Sequence, residues 1–246
     1  MDNLNQKIDA MRAGGRILAN THAYIAESIH EGMNAFILDR MIHDFIVSND
    51  AVPGFLGYQG YKYSSCISKN EEIVHGIPYD SKLFFNGDLI SIDVGVLYQG
   101  YYVDAARSYL IGDVDDTIQR LANVTEASFF NGISSISAGS RLGDLSNGIQ
   151  SHVESNGFSV VKDLYSHGVG KNLHEDPLIP NYGKAGSGIE LMNGMTLAIE
   201  PMVNIGTPDI VTLEDNWTII TADRQWSAHY ENTILITDDG VDILTL

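Results

Sequence analysis

The spacing of apolar residues predicts two helices at the start of the chain and a sheet after them. Apolar positions recur at helical spacing from about Leu4 to Ile29, and they do so again after Asn34, a residue type that favours the N-cap position. From Phe55 to Tyr109 the pattern changes to short runs rich in β-branched and aromatic residues, broken by Gly, Asn and Pro. This second pattern is typical of strands and turns.

The same order of elements returns in the second part of the chain. Helical spacing covers Asp115–Ile133 and Leu142–Val153, Gly157 is the predicted stop, and strands and turns follow from Phe158 to the end. Two helices followed by strands, twice over, suggest two similar halves.

One pair of segments supports the two halves at residue level. GDLISID, which begins at Gly87, and GMTLAIE, which begins at Gly194, share a glycine, an aliphatic position, a small residue, an isoleucine and a terminal carboxylate. A seven-residue match of this kind also arises by chance, so the echo alone leaves the question open. The chemically informative feature is that both segments end in a carboxylate.

Composition and charge narrow the function classes. A chain of 246 residues that is 44% hydrophobic can bury a large core, and we expect a single domain over residues 1–246. The net charge of -18 opposes direct binding of nucleic acid or of an anionic membrane. There is no apolar run of transmembrane length and no signal-peptide pattern, and the single cysteine, Cys66, excludes an internal disulfide framework. We therefore expect a cytoplasmic protein.

Two aspartates lie in apolar sequence where a bare carboxylate is costly to bury. In GDLISIDVGVLYQGYYVDAARS, a hairpin that turns at LYQG places Asp93 and Asp104 nearly opposite each other, with Cβ atoms roughly 5 Å apart. Two ionised carboxylates at that distance repel, so either one is protonated or a cation lies between them. The alternative is that one aspartate belongs to the turn and the other is solvated.

Three further donors end or begin apolar runs in the second half. His167 lies in YSHGVGKNLHEDP, Glu200 in MTLAIEPMV and Glu231 in SAHYENTILIT. Each of them singly is more often a structural group than a ligand. Together with the two aspartates they favour a metal site, and carboxylates with one imidazole suit Mn, Fe, Co or Zn. Four carboxylates can bridge two ions about 3.5–4 Å apart, so the donor set predicts a dinuclear hydrolase.

These residues belong to longer motifs that resemble the type I methionine aminopeptidases. The resemblance runs through MRAGGRILA, GYQGYKYSSCISKNEEIVHGIP, SIDVG, YYVDAARS, HGVGKNLHEDP, AIEPMVNIG and SAHYENTILIT, and so covers nearly the whole chain. HExxH, GxSxG and GxxxxGK[ST] motifs are absent from the sequence.

The resemblance implies an α/β (α+β) pita-bread fold: two pseudo-symmetric halves with a curved, mainly antiparallel sheet and helices on the outer face. It implies two divalent ions, Co, Mn, Fe or Zn, held by Asp93, Asp104, His167, Glu200 and Glu231, with Asp104 and Glu231 bridging. It implies removal of N-terminal methionine before small second residues, with Glu200 as general base, His174 stabilising the oxyanion and His75 orienting the amide.

The resemblance also implies an apolar pocket for the methionine side chain. Its expected walls are Phe55, Tyr58, Tyr61, Cys66, Leu173 and Trp217, although ordinary core packing would also explain each of these residues. The sequence departs from the family pattern in a larger Phe55, a smaller Leu173, His229 in place of a common glutamine, and Asn232 in place of a common histidine. These departures concern the shape of the pocket and the groups around the ligands, and they leave the mechanism in place.

Two alternatives remain open at this point. A non-catalytic pita-bread module that binds peptides or proteins would be expected to have lost ligands, and all five are present here. A proline-specific or creatine-type hydrolase would be expected to carry a further N-terminal domain. We expect the partners to be nascent polypeptides with N-terminal methionine, and the enzyme to be a monomer. The resemblance implies the ribosome as a further partner. The net charge of -18 argues against a basic surface that would dock on it.

Overall fold

The computed structural model describes residues 4–246, and its helices follow the predicted ones closely. They are α1 (Leu4–Ser28), α2 (Ala35–Ser48), α3 (Asp116–Ile133) and α4 (Leu142–Ser155). Asn34 caps α2, because its side chain accepts a hydrogen bond of 2.7 Å from the backbone N–H of Ile37. Asp115 caps α3 in the same way, so that helix begins one residue later than the pattern predicted. No helix among the described residues is long and apolar enough to cross a membrane.

Apart from the short strand Val52–Pro53, the strands lie within one residue of the two stretches in which the sequence predicted them, and every pairing between them is antiparallel. In chain order they are β1 (Val52–Pro53), β2 (Ser65–Lys69), β3 (Glu72–Val74), β4 (Leu89–Tyr98), β5 (Tyr101–Leu110), β6 (Ser159–Val160), β7 (Tyr165–Gly168), β8 (Glu175–Pro180), β9 (Thr196–Ile199), β10 (Met202–Asn204), β11 (Ile210–Thr212), β12 (Ile219–Thr221), β13 (Ser227–His229), β14 (Asn232–Thr237) and β15 (Gly240–Ile243).

The two halves of the chain have the same layered construction. In the first half β4 pairs with β1, β2 and β5, and the apolar face of this sheet packs against α1 and α2. In the second half the sheet order is β15-β14-β9-β7-β8, and α3 and α4 pack against it. Two small sheets, β13-β10-β6 and β11-β12-β3, complete the structure. Each half therefore has two helices on one face of its main sheet.

The repeated segment of the sequence has a structural counterpart. Gly87 and Gly194 have φ angles of 96° and 89°, a left-handed conformation that favours glycine, and a central strand begins two residues after each of them. The terminal acids of the two segments, Asp93 within β4 and Glu200 directly after β9, line the same cavity. The repeated segment therefore marks structurally equivalent strands of the two halves, β4 and β9.

The halves meet where β5 runs beside the start of β14. Ala106 and Glu231 exchange backbone hydrogen bonds of 3.3 Å and 3.0 Å, and the Thr233 hydroxyl accepts a hydrogen bond of 2.8 Å from the backbone N–H of Asp104. Because backbone pairs fix register, this seam brings Asp104 of the first half to the side of Glu231 of the second.

The predicted register of the β4–β5 hairpin was wrong by two residues. Asp93 pairs with Ala106, and Asp104 pairs with Gly95, so the two aspartates are not directly opposite. The reason is the turn, whose central residues are Gln99 and Gly100 with φ angles of 49° and 83°, so the hairpin axis lies beyond the centre of LYQG. Both aspartates still lie on one face, because each is an even number of residues from the other's partner.

Close packing of α1 against the C-terminal segment gives a test of the fold. A Cβ at Gly15 would lie 1.9 Å from the backbone oxygen of Leu244, whereas a Cβ at Gly14 would lie 3.2 Å from its nearest neighbour, the Cβ of Tyr98. We expect Gly15→Ala to lower the free energy of unfolding by about 2 kcal/mol or more, since the backbone must shift. Gly14→Ala is the matched control, with the same gain of helix propensity, about 1 kcal/mol. Denaturant unfolding checks this, and equal stabilities would contradict the packing described.

Candidate metal centre and substrate cavity

The five predicted metal ligands come from both halves and meet in one cavity. Asp93 lies on β4, Asp104 on β5 and His167 on β7, while Glu200 directly follows β9 and Glu231 directly precedes β14. All five line a cavity of about 340 Å³. Strands that are distant in sequence therefore place one donor each at the same spot.

The donor atoms are close enough to share cations. One oxygen each of Asp104 and Glu231 and one ring nitrogen of His167 lie within 4.8 Å of one another. A second group with the same spacing consists of Glu200, His229 and Glu231. Glu231 is common to both groups, a position that suits a bridging ligand.

Burial makes these carboxylates costly to ionise. Desolvation, with the neighbouring carboxylates as a second cause, raises the pKa of Asp104, Glu200 and Glu231 well above the usual range, and desolvation raises the pKa of Asp93 to about 7. One buried oxygen each of Asp93, Asp104 and Glu231 has no hydrogen-bond partner among residues 4–246. Since buried charges need pairing, this cluster requires protons or cations.

The histidine of the cluster is prepared to act as a ligand. Nδ1 of His167 lies 2.8 Å from the carbonyl oxygen of Gly168 and can donate its hydrogen to it. Nε2 then carries the free lone pair of the neutral ring, and this atom lies 3.6 Å from Oε1 of Glu200. Burial lowers the pKa of His167 to about 4, so the ring is neutral at pH 7. Four carboxylates and one neutral imidazole fit borderline or hard divalent cations, and the residues present therefore fit the metal site that the sequence predicted.

Two further histidines lie beside the acidic cluster. His174 has its ring centroid 4.1 Å from that of His167, and its Nδ1 is 2.9 Å from the Tyr58 hydroxyl. His75 follows β3 with a φ angle of 59°, which is unusual for a residue with a side chain and is found at functional sites more often than elsewhere. Burial lowers the pKa of His174, and it lowers the pKa of His75 to about 4.

Aromatic and aliphatic side chains form the rest of the cavity wall. All residues predicted for the methionine pocket line it: Phe55, Tyr58, Tyr61, Cys66, Leu173 and Trp217. The ring centroids of Tyr61 and Trp217 lie 4.8 Å apart. The Tyr61 hydroxyl donates a hydrogen bond of 2.9 Å to the carbonyl oxygen of Ser65. Burial raises the pKa of the Cys66 thiol well above its usual value, so this residue is a poor nucleophile and an apolar wall.

Gly95 makes room for the larger Phe55. A Cβ at Gly95 would lie 2.6 Å from the ring of Phe55. Since Gly95 is two residues beyond Asp93 on the same strand face, the aromatic ring lies directly beside the acidic cluster.

Arg107 anchors the strand that carries Glu231. It donates hydrogen bonds of 2.5 Å to the carbonyl oxygen of Glu231 and 2.7 Å to the side-chain oxygen of Asn232. Asn232, which stands in place of a common histidine of the family, is therefore buried and accepts a hydrogen bond from Arg107. No sequence pattern predicted this role for Arg107.

Several further residues of the cavity wall were not predicted from the sequence. They are Gln59, Val74, Leu164, Tyr165 and Met202. His229, which was named only as a departure, belongs to the second donor group. Strand alternation was the available signal for it, because His229 lies two residues before Glu231 and faces the same side.

Comparisons with known proteins agree with this geometry. The chain matches metallopeptidase family M24 over residues 9–238. It is 47% identical to the methionine aminopeptidase of Clostridium perfringens over 98% of this chain and 96% of that one. It is 46% identical to methionine aminopeptidase 1 of Bacillus subtilis, again over 98% and 96% of the two chains.

A solved structure shares the fold almost throughout. The crystal structure of methionine aminopeptidase from Thermotoga maritima superposes with a TM-score of 0.96 at 45% identity, covering 98% of this chain and 96% of that chain. The expectation of a pita-bread fold is thereby confirmed. The family match, the full-length relatives and the shared fold establish that this chain belongs to metallopeptidase family M24, among its methionine aminopeptidases.

Proposed function

We propose that the protein removes N-terminal methionine from nascent proteins and peptides, with a preference for small second residues, as a dinuclear metallo-aminopeptidase. The observation that carries the proposal is the convergence of two buried carboxylates, Asp104 and Glu231, two partly buried ones, Asp93 and Glu200, and His167 in a cavity of about 340 Å³ with aromatic walls. A non-catalytic binding module would have no need for this cluster, whose ionised form is costly to bury.

The donor set supports two divalent ions from the group Co, Mn, Fe and Zn. Bound there, they would polarise the scissile carbonyl and lower the pKa of a water molecule from about 15.7 towards 7. Asp104 and Glu231 would bridge, because Glu231 belongs to both donor groups and Asp104 lies beside it across the seam. Asp93, His167 and Glu200 would complete the ligation.

Glu200 is suited to move the proton during peptide hydrolysis. Its carboxylate lies in the cavity beside His167, and its backbone is fixed by two hydrogen bonds: its N–H donates to the Ser166 hydroxyl at 2.9 Å, and its carbonyl accepts from Asn181 at 3.0 Å. Glu200 would accept a proton from the attacking water at a carboxylate oxygen and return it to the nitrogen of the leaving amine.

His174 and His75 would bind the scissile peptide. When the Tyr58 hydroxyl donates to Nδ1 of His174, the neutral ring carries its hydrogen on Nε2 and can donate it to the developing oxyanion. His75 would orient the scissile amide. Its ring packs edge-to-face with the ring of Trp217, with the two ring centroids 6.4 Å apart.

The cavity fits an unbranched apolar side chain. Its aromatic and aliphatic walls suit a thioether, since sulfur packs well against aromatic rings. The metal-binding end of the cavity suits a free α-amino group, because a neutral amine can bind a divalent cation. Every residue of the site comes from a single chain and both halves contribute, so we propose one catalytic domain that acts as a monomer.

Peptide hydrolysis tests the proposed function directly. We expect the metal-loaded enzyme to release methionine from Met-Gly-Ser and Met-Ala-Ser much faster than from Met-Leu-Ser or Met-Arg-Ser. Glu200→Ala should lower kcat by about 10²–10⁴-fold, because the proton acceptor is lost. Glu154→Gln is the control, since Glu154 is exposed on α4. Chelation should abolish turnover reversibly. Chelator-resistant activity, or near-normal turnover by Glu200→Ala, would contradict the proposal.

The Tyr58–His174 contact gives a graded prediction. His174→Ala should lower kcat by about 10²–10³-fold through loss of one oxyanion donor. Tyr58→Phe should have a smaller effect, because it removes only the group that holds Nδ1. Steady-state kinetics on Met-Ala-Ser measure both. A larger kcat loss in Tyr58→Phe than in His174→Ala would contradict the assigned roles.

The buried acids predict opposite effects of one substitution with and without metal. Asp104→Asn removes a carboxyl whose pKa burial raises, so in chelator we expect its free energy of unfolding to exceed that of wild type by about 1 kcal/mol. With Mn²⁺ or Co²⁺ present, wild type should gain thermal stability and the variant should gain much less. Thermal scans in both conditions check this. An equal metal-induced shift in the two proteins would show that Asp104 is not a ligand.

A further inference from the structure

We propose that His229 is an additional metal ligand, so that the cation between Glu200 and Glu231 is bound by an imidazole that the five predicted ligands do not include. The inference rests on the proposed function in one respect, namely that the carboxylate cluster binds divalent cations. It goes beyond the five ligands in assigning a sixth donor and the metal preference that follows from it.

The register of the strands brings His229 to the two glutamates. Across β9 and β14, Asn232 pairs with Ile199, and across β10 and β13, His229 pairs with Met202. These two pairings belong to one continuous register, which places Glu200 opposite Glu231. His229 is two residues before Glu231 and therefore lies on the same side of the chain.

The distances suit a shared cation better than a direct hydrogen bond. Nε2 of His229 lies 3.7 Å from Oε2 of Glu200 and 3.7 Å from Oε2 of Glu231, beyond the usual hydrogen-bonding range. Metal bonds of about 2.1 Å place neighbouring ligand atoms about 3.0–3.5 Å apart in octahedral or tetrahedral geometry. A shift of a few tenths of an ångström would complete such a site.

The nitrogen that faces the glutamates has no hydrogen-bond partner in the described part of the chain. Nε2 of His229 is buried and makes no hydrogen bond, and the whole residue is 1% exposed. Its backbone cannot easily withdraw, because its N–H lies 3.3 Å from the hydroxyl oxygens of both Ser91 and Ser108, and β13 is paired with β10. An unpartnered buried nitrogen is costly, and coordination to a cation would satisfy it.

A second imidazole changes which metals the centre prefers. Carboxylates suit Mn²⁺, whereas imidazole favours Zn²⁺ and the later transition metals. A glutamine at this position would supply at most an amide oxygen, a harder donor. His229 would therefore shift the preference of the centre from Mn²⁺ towards Zn²⁺.

Zinc binding observed on ring-labelled histidines tests the proposal. With ¹⁵N-histidine protein and Zn²⁺, long-range ¹H–¹⁵N spectra distinguish coordinated ring nitrogens from free ones. We expect coordinated Nε2 signals from both His167 and His229, with the latter missing in His229→Gln. Calorimetry should show that this variant loses at least about tenfold in Zn²⁺ affinity relative to Mn²⁺. His30→Gln, a change at an exposed histidine, is the matched control and should alter neither result.

The outcomes separate this inference from the proposed function. If Zn²⁺ binds and only His167 shows a coordinated nitrogen, the inference is overturned and the metal centre stands. If Zn²⁺ produces no coordinated histidine and no binding heat, both fail. A single coordinated ring in the wild-type spectrum already overturns the inference, so that outcome does not depend on the folding of His229→Gln.

Discussion

The convergence of four buried or partly buried carboxylates from the two halves of the chain is the constraint on which the rest of the structure depends. Neighbouring carboxylates raise the pKa values of Asp104, Glu200 and Glu231, and none of the described residues that line the cavity is a lysine or an arginine. Arg107 donates to the backbone of Glu231, and its charge acts to lower the pKa of the Glu231 carboxyl, but burial and the neighbouring acids outweigh it. Such a cluster gains stability only from protons or cations. The scaffold holds it in place through backbone pairing, and above all through the Ala106–Glu231 seam that joins the two halves.

Much of this arrangement could be predicted from the sequence. Apolar spacing located all four helices to within a few residues, and Asn34 marked the start of the second one because its side chain can cap a helix end. The acids of the site could be found because a carboxylate in an apolar strand is chemically out of place. The repeated segment that begins at Gly87 and Gly194 reported a real equivalence, since both glycines adopt left-handed turns before central strands.

The remainder depends on geometry that local patterns do not encode. The hairpin register was wrong because the left-handed conformation of Gln99, a residue with a side chain, moved the turn. The place of His229 depends on pairing between β10 and β13, which are far apart in sequence. Arg107 could not be assigned a role, because its partners are a backbone carbonyl and Asn232 across the seam. These are long-range contacts, which strand alternation constrains but does not specify.

Anomalous diffraction from crystals of the protein grown with Mn²⁺ tests the central claim most directly, because it locates the metal by element. The account predicts two strong peaks within bonding distance of the buried carboxylates, with oxygens of Asp104 and Glu231 contacting both ions. Crystals at saturating Mn²⁺ with no peak among these carboxylates would contradict it.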